Sequence, residues 1–191
     1  MTEPLRTPVL VQDAQTALAR LAKGLDEADA LLDGAVLIDS AEIPEADHGL
    51  LVHHDHMTTR LQGHHGRPVE LRVLHECVTD DRYRRMILLT LQGSAKVVEF
   101  GIVQIELAYT PEAVRREILA RNAPLGDILI RHNVLRRVEP KWYLGFHKPS
   151  RVLSYFGGTE VAFGRIGVIH CNGHAGIELL EVVPNGMANS E

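Results

Sequence analysis

Residues 160–184 read EVAFGRIGVIHC-NG-HAGIELLEVVP, and this stretch decides the fold class. Two runs rich in Val, Ile and Leu flank Asn172-Gly173. Asn and Gly tolerate the positive φ that a two-residue hairpin turn demands, so Asn-Gly between such runs signals a hairpin. Glu160–Cys171 and Gly176–Val183 are therefore expected as the arms of an antiparallel hairpin. Upstream, residues 135–147 (LRRVEPKWYLGFH) read as a strand interrupted by Pro140. VELRVLHECV (69–78), RRMILLTL (84–91) and VVEFGIVQIEL (97–107) read as three more strands. Short turns at Thr79-Asp80-Asp81 and Gln92-Gly93-Ser94 join them into a meander, which makes the sheet antiparallel.

Helical signals surround these strands. Val11, Ala14, Leu18, Leu21, Ala22 and Leu25 keep helical spacing, and a short helix is expected at 27–32. Residues 44–62 read as one helix between Pro44 and Gly63. Thr110-Pro111-Glu112 is a helix start, with Thr as N-cap and Pro at N1. That helix runs to about Arg121, and Asn122–Gly126 separates it from a second at 127–133. RVLSYF (151–156) reads as a further short helix. The expected architecture is α+β: a mainly antiparallel six-stranded sheet flanked by helices. Residues 1–10 look loose, residues 1–40 read as an N-terminal helical extension, and residues 41–191 as one globular unit.

Composition sets the outer bounds. The chain has 191 residues, with 20 Lys and Arg against 25 Asp and Glu. A net charge of −5 argues against a nucleic-acid surface. Two cysteines, Cys77 and Cys171, are too few for a disulfide framework and read as structural thiols. No apolar run is long enough to span a bilayer and no signal-peptide pattern opens the chain, so a cytoplasmic location without a membrane partner is expected.

Several residues stand out as candidate sites. Six of the eleven histidines, at 48, 53, 54, 56, 64 and 65, crowd one segment. Their spacing lacks a third ligand or an HExxH pattern, so solvated histidines are the expectation and no metal is assigned. Arg85 sits worse. Alternation places it with Ile87 and Leu89, and Arg84 with Met86 and Leu88, so either face carries an arginine into apolar surroundings. Such a cation needs a carboxylate partner or a ligand. On the terminal strand Glu178 and Glu181 lie three apart and face opposite ways, so one points inward. The pattern leaves open a buried Arg–Glu ion pair or a site that holds a ligand carboxylate. Pro124-Leu125-Gly126, between two helices, could offer free backbone N–H groups to an anion.

The order of these features resembles the chorismate pyruvate-lyases, above all their divergent bacterial branch labelled chorismate lyase-related. The residues that carry the resemblance are Asp55-His56-Met57-Thr58-Thr59-Arg60, the VELRVL strand, RYRRMILL, APLG followed by LIRHNVL, and the terminal IELLEVVP. Together they span about residues 43–184. The resemblance implies a chorismate lyase-like, UTRA-like fold that converts chorismate to 4-hydroxybenzoate and pyruvate in a closed pocket without a cofactor. It implies Arg85 and the main-chain amides of Met57 and Leu125, with Gly126, as the carboxylate site. It also implies a terminal-strand glutamate, Glu181 or Glu178, at the phenol end. The same fold serves as a small-ligand sensor domain in bacterial transcription regulators. The alternative expectation is therefore a non-catalytic binding module for a small aromatic carboxylate.

Overall fold

The structure is a computed structural model that describes residues 8–79 and 82–186, with side chains described from residue 13 onward. Of residues 1–10, expected to be loose, 1–7 lie outside the described residues, as do Asp80 and Asp81 of the expected turn, while 8–10 are helical. The elements in chain order are α1 (Pro8–Ala22), α2 (Ala28–Leu32), β1 (Ala35–Ile38), α3 (Glu45–Leu51), α4 (Met57–His65), β2 (Val69–Thr79), β3 (Arg82–Leu91), β4 (Val97–Glu106), α5 (Glu112–Ala120), α6 (Leu125–Arg131), β5 (Arg136–His147), β6 (Val161–Cys171) and β7 (His174–Pro184). A 3-10 helix spans Arg151–Phe156.

The strands form one seven-stranded sheet in the order β1-β5-β6-β7-β4-β3-β2, and every pairing is antiparallel. The β6–β7 turn has Asn172 and Gly173 both at positive φ, 51° and 87°, the conformation for which Asn-Gly is suited. The sheet has one strand more than expected. β1, AVLI, is short and continuously apolar, and pairs along the edge of β5. A four-residue apolar run carries no period, so its pairing depends on the β5 edge already in place.

Alternation along the strands makes two buried faces. Met86, Leu88, Phe100, Ile102, Leu180 and Val182 face one side. There they pack with Ala17 and Leu21 of α1, with Ala28, Leu31 and Leu32 of α2, and with Val152 and Leu153. Each fully buried leucine of this layer contributes about 1.5–3 kcal/mol. Residues 14–38 supply a helical layer to this face and a strand to the sheet edge. On the other side, Ile87, Leu89, Val98 and Val183 pack against Leu50 and Leu51 of α3 and Met57 and Leu61 of α4. Val103, Ile105, Ile177 and Leu179 pack against Val114, Ile118, Ile128 and Leu129 of α5 and α6.

Two local departures from the expected pattern matter for the site. β2 bulges between Val73 and His75, so its parity flips and Glu76 stands opposite Arg85. The helix expected over 44–62 is two helices, with a break from Val52 to His56. The α4 N-terminus created by that break borders the sheet face carrying Arg85.

Candidate ligand-binding cavity

A cavity lies between the sheet and the starts of α4 and α6. Its floor is Arg85, Ile87 and Leu89 of β3, Glu99, Gly101 and Val103 of β4, and Leu179 and Glu181 of β7. His56, Met57 and Thr58 close it from the α4 side, and Pro124, Leu125 and Gly126 from the α6 side. The mostly apolar lining, with a few converging polar groups, is that of a small-molecule site.

Arg85 is the polar anchor. It is 1% exposed, and its Nε and Nη1 have no hydrogen-bond partner. Desolvation lowers its pKa, an effect opposed by Tyr83 and Glu76. Those neighbours do not neutralise it, because both are engaged with each other. The Tyr83 hydroxyl donates to Glu76 Oε2 at 2.8 Å, and Arg121 donates to Glu76 Oε1 at 2.6 Å. The Tyr83 phenol is pushed up to about 12 by burial and by that bond. Around Arg85, neither helix start is capped by a side chain, since His56 and Pro124 make no cap hydrogen bond. Gly126 permits the close approach of α6 to α4: a Cβ there would stand 3.0 Å from Thr58 Oγ1.

The opposite end of the cavity is built around a second arginine. Arg165 of β6 is 1% exposed and donates from Nε to Glu181 Oε2 at 2.7 Å. Its Nη1 donates to the carbonyls of Leu51 (3.1 Å) and His53 (2.9 Å), and its Nη2 to that of Asp55 (3.2 Å). One side chain thus neutralises the terminal-strand glutamate and gathers the carbonyls of the α3–α4 break. This is the physical reason that the break exists. Glu99 lies beside this pair with its Oε2 buried and unpartnered. Burial, then the nearby Glu181 charge, holds the Glu99 carboxyl well above the usual carboxylate range, against the pull of Arg165.

Two histidines belong to the same framework. His53 Nε2 donates to the Leu50 carbonyl at 2.7 Å, which leaves Nδ1 to accept from the Asp55 amide at 3.1 Å and from Arg165. His56 Nε2 accepts from Arg136 Nε at 2.6 Å. Both pKa values are lowered to about 4, first by desolvation and then by the neighbouring arginines. His53 and His56 are therefore buried neutral struts, which corrects the expectation of solvated histidines for these two, while His48, His54 and His64 are exposed as expected. Among the described residues no group of three or more His, Cys, Asp or Glu could hold a metal ion.

Of the residues singled out in the sequence, Arg85, Met57, Leu125, Gly126 and Glu181 line one cavity. Glu178 does not. It lies on the opposite sheet face, where Arg20 of α1 donates to it at 2.5 and 2.7 Å. The buried Arg–Glu pair is present, but its arginine is Arg165. Arg165 and Glu99 were not singled out, although each is a charge inside an apolar strand, the signal that singled out Arg85.

No protein-family model matches the chain, and no curated protein does. Solved structures do. PhnF from Mycobacterium smegmatis matches at 11% identity and a TM-score of 0.50, over 68% of this chain and 64% of that one. The chain thus spans less than two thirds of that protein's length. The effector domain of the same PhnF matches at 11% identity and a TM-score of 0.53, over 70% of this chain and 90% of the domain. A GntR-family transcriptional regulator from Bacillus cereus gives 11% identity and a TM-score of 0.43, over 64% and 96%. These findings overturn the expected chorismate lyase and its place in aromatic biosynthesis. The structures matched at a TM-score of 0.50 or more are described as PhnF and its effector domain. No helix among the described residues is long and apolar enough to cross a membrane. The fold is α+β, a seven-stranded antiparallel sheet with helices on both faces, and it is similar to that of the PhnF effector domain.

Proposed function

We propose that this chain is a ligand-binding module that holds a small carboxylate with a ring-sized apolar body in the cavity between the sheet and helices α4 and α6. The observation that carries this reading is Arg85, a guanidinium 1% exposed whose Nε and Nη1 lack partners. A buried cation without hydrogen bonds costs stability, and a carboxylate supplies the bidentate partner that its planar fork fits. The uncapped first turn of α4 adds backbone N–H groups on the same side. The apolar middle, formed by Ile87, Leu89, Ile169 and Leu179, suits a hydrocarbon ring.

Isothermal titration with benzoate and with neutral benzamide tests the reading. The expected result is binding of benzoate but not of benzamide, with a loss of about a hundredfold in Arg85→Met, as for a charge-assisted pair. Equal binding of the two compounds, or benzoate affinity unchanged in Arg85→Met, would sink it.

A further inference from the structure

Arg85 is one of two unsatisfied groups in this cavity, and the second reads the other end of the ligand. Glu99 is 4% exposed and its Oε2 has no partner. Its position follows from the strand register. Arg85 pairs with Val103, and Glu99 lies four residues earlier on the same strand. At about 3.3 Å per residue, the two Cα levels are roughly 13 Å apart along the sheet. The floor between them is the cross-strand pair Ile87–Gly101. A Cβ on Gly101 would stand 3.1 Å from Ile87 Cδ1 and 3.2 Å from Glu99 Oε1, so the glycine keeps that floor open up to the carboxyl. The neighbouring glutamate, Glu181, is already committed to Arg165 at 2.7 Å. The cavity therefore holds one unpaired cation, one neutralised ion pair and one free carboxyl group.

Two ionised carboxylates cannot share one arginine at low dielectric without a cost, and the better-paired one keeps the charge. Resting on the carboxylate-binding reading above, we infer that Glu99 is the specificity-determining residue: as an uncharged carboxylic acid it hydrogen-bonds a neutral hydroxyl or carbonyl at the ligand end remote from Arg85. The ligand class is then a short monoanion with an uncharged polar tail, and a zwitterion is disfavoured. Burial and the Glu181 charge, which hold the Glu99 proton in place, point the same way.

The test is titration of the full chain with three probes: benzoate, 4-hydroxybenzoate and 4-(aminomethyl)benzoate. The hydroxyl compound should bind about tenfold tighter than benzoate, the gain of one buried hydrogen bond, and the ammonium compound should bind weakest. Glu99→Gln, which cannot ionise but still hydrogen-bonds, should keep that order. Glu99→Leu should bring the hydroxyl compound and benzoate to within about twofold, with benzoate affinity retained. Should Glu99→Leu fail to fold, the wild-type order and the Gln variant still decide. Tightest binding by the ammonium compound, lost in Glu99→Gln, would show an ionised counter-ion and overturn the inference. So would a hydroxyl preference that survives Glu99→Leu. Failure of all three probes to bind would instead remove the carboxylate-binding reading, and the inference with it.

Discussion

Arg85 shows how a single residue can be set against the stability of the fold that carries it. Its aliphatic stem packs among Ile87 and Val103 while two of its guanidinium nitrogens remain unpaired. Desolvating such groups without partners costs about 1–3 kcal/mol. Arg85→Met keeps a flexible apolar stem and removes the charge, so it should raise the thermal midpoint of the unliganded protein. A gain of 1 kcal/mol corresponds to about 2–4 °C in a chain of this size. The same variant should show no further rise on adding benzoate. Differential scanning fluorimetry with and without the ligand checks both halves; a lower midpoint for the variant would mean that Arg85 is satisfied in the folded protein. Arg84, one residue earlier and equally charged, follows the bland course: it faces the other way and donates to Gln104 Oε1 at 2.7 Å.

At the scale of elements, the decisive structure is the break between α3 and α4. Arg165 holds it through three backbone carbonyls and is itself held by Glu181. Removing one partner of a buried ion pair costs about 3–5 kcal/mol, because the other charge is left unpaired. Arg165→Met should therefore destabilise by that amount. It should also raise amide exchange selectively in residues 51–58 and weaken ligand binding through the displaced α4 start. Hydrogen exchange read by mass spectrometry tests this, and uniform loss of protection would show only general destabilisation. The break is also pH-sensitive. His53 and His56 have folded pKa values of about 4, below the usual 6.5. Between those limits the unfolded chain binds more protons, so their contribution is fully present above about pH 6.5 and is lost as pH falls toward 4. Glu99 acts in the opposite sense. Its raised pKa makes stability fall as pH rises above the usual carboxylate range. Urea unfolding at pH 7.5 and 5.5 should show a smaller loss on acidification in His56→Gln than in wild type. An equal loss in both would take His56 out of the account.

For the molecule as a whole, the sheet is covered on both faces, and the covering layers have different roles. The side with α3 to α6 contains the cavity. The side with α1 and α2 is closely filled, with Ala17, Leu21, Ala28, Phe100, Phe146 and Leu180 fully enclosed. The α1 layer is also tied to the sheet by Arg20–Glu178, a half-exposed pair that contributes at most about 1 kcal/mol. Burial does most of the holding. A chain beginning at residue 40 would lose this layer and would expose the β5 edge that β1 covers. Such a chain should be unfolded or aggregated, as judged by size-exclusion chromatography and near-ultraviolet circular dichroism. A monomeric, cooperatively folding product would instead show that residues 41–191 form a unit by themselves.

Local sequence determined much of this protein. The 160–184 hairpin, the β2–β4 meander and the Pro124 break follow from alternation and turn residues, which act over a few residues, whereas α5 starts one residue later than expected, with Pro111 rather than Thr110 at the N-cap and no side-chain cap bond. Arg85 was legible for the same reason, because a charge in an apolar strand breaks a local rule. Arg165 and Glu99 break that rule too, but which charges face one another depends on which strands become neighbours. β6 and β7 are joined by their hairpin, but β4 is set beside β7 by the order of the sheet, not of the chain. Tertiary structure alone decided that Glu178 faces α1 and that residues 44–62 break at Val52–His56. It also decided that AVLI at 35–38 becomes a strand. In each case the deciding partner lies far away in sequence, over a hundred residues for the break and for β1. The free energy of burying those groups together outweighs the preferences that a short window of sequence expresses.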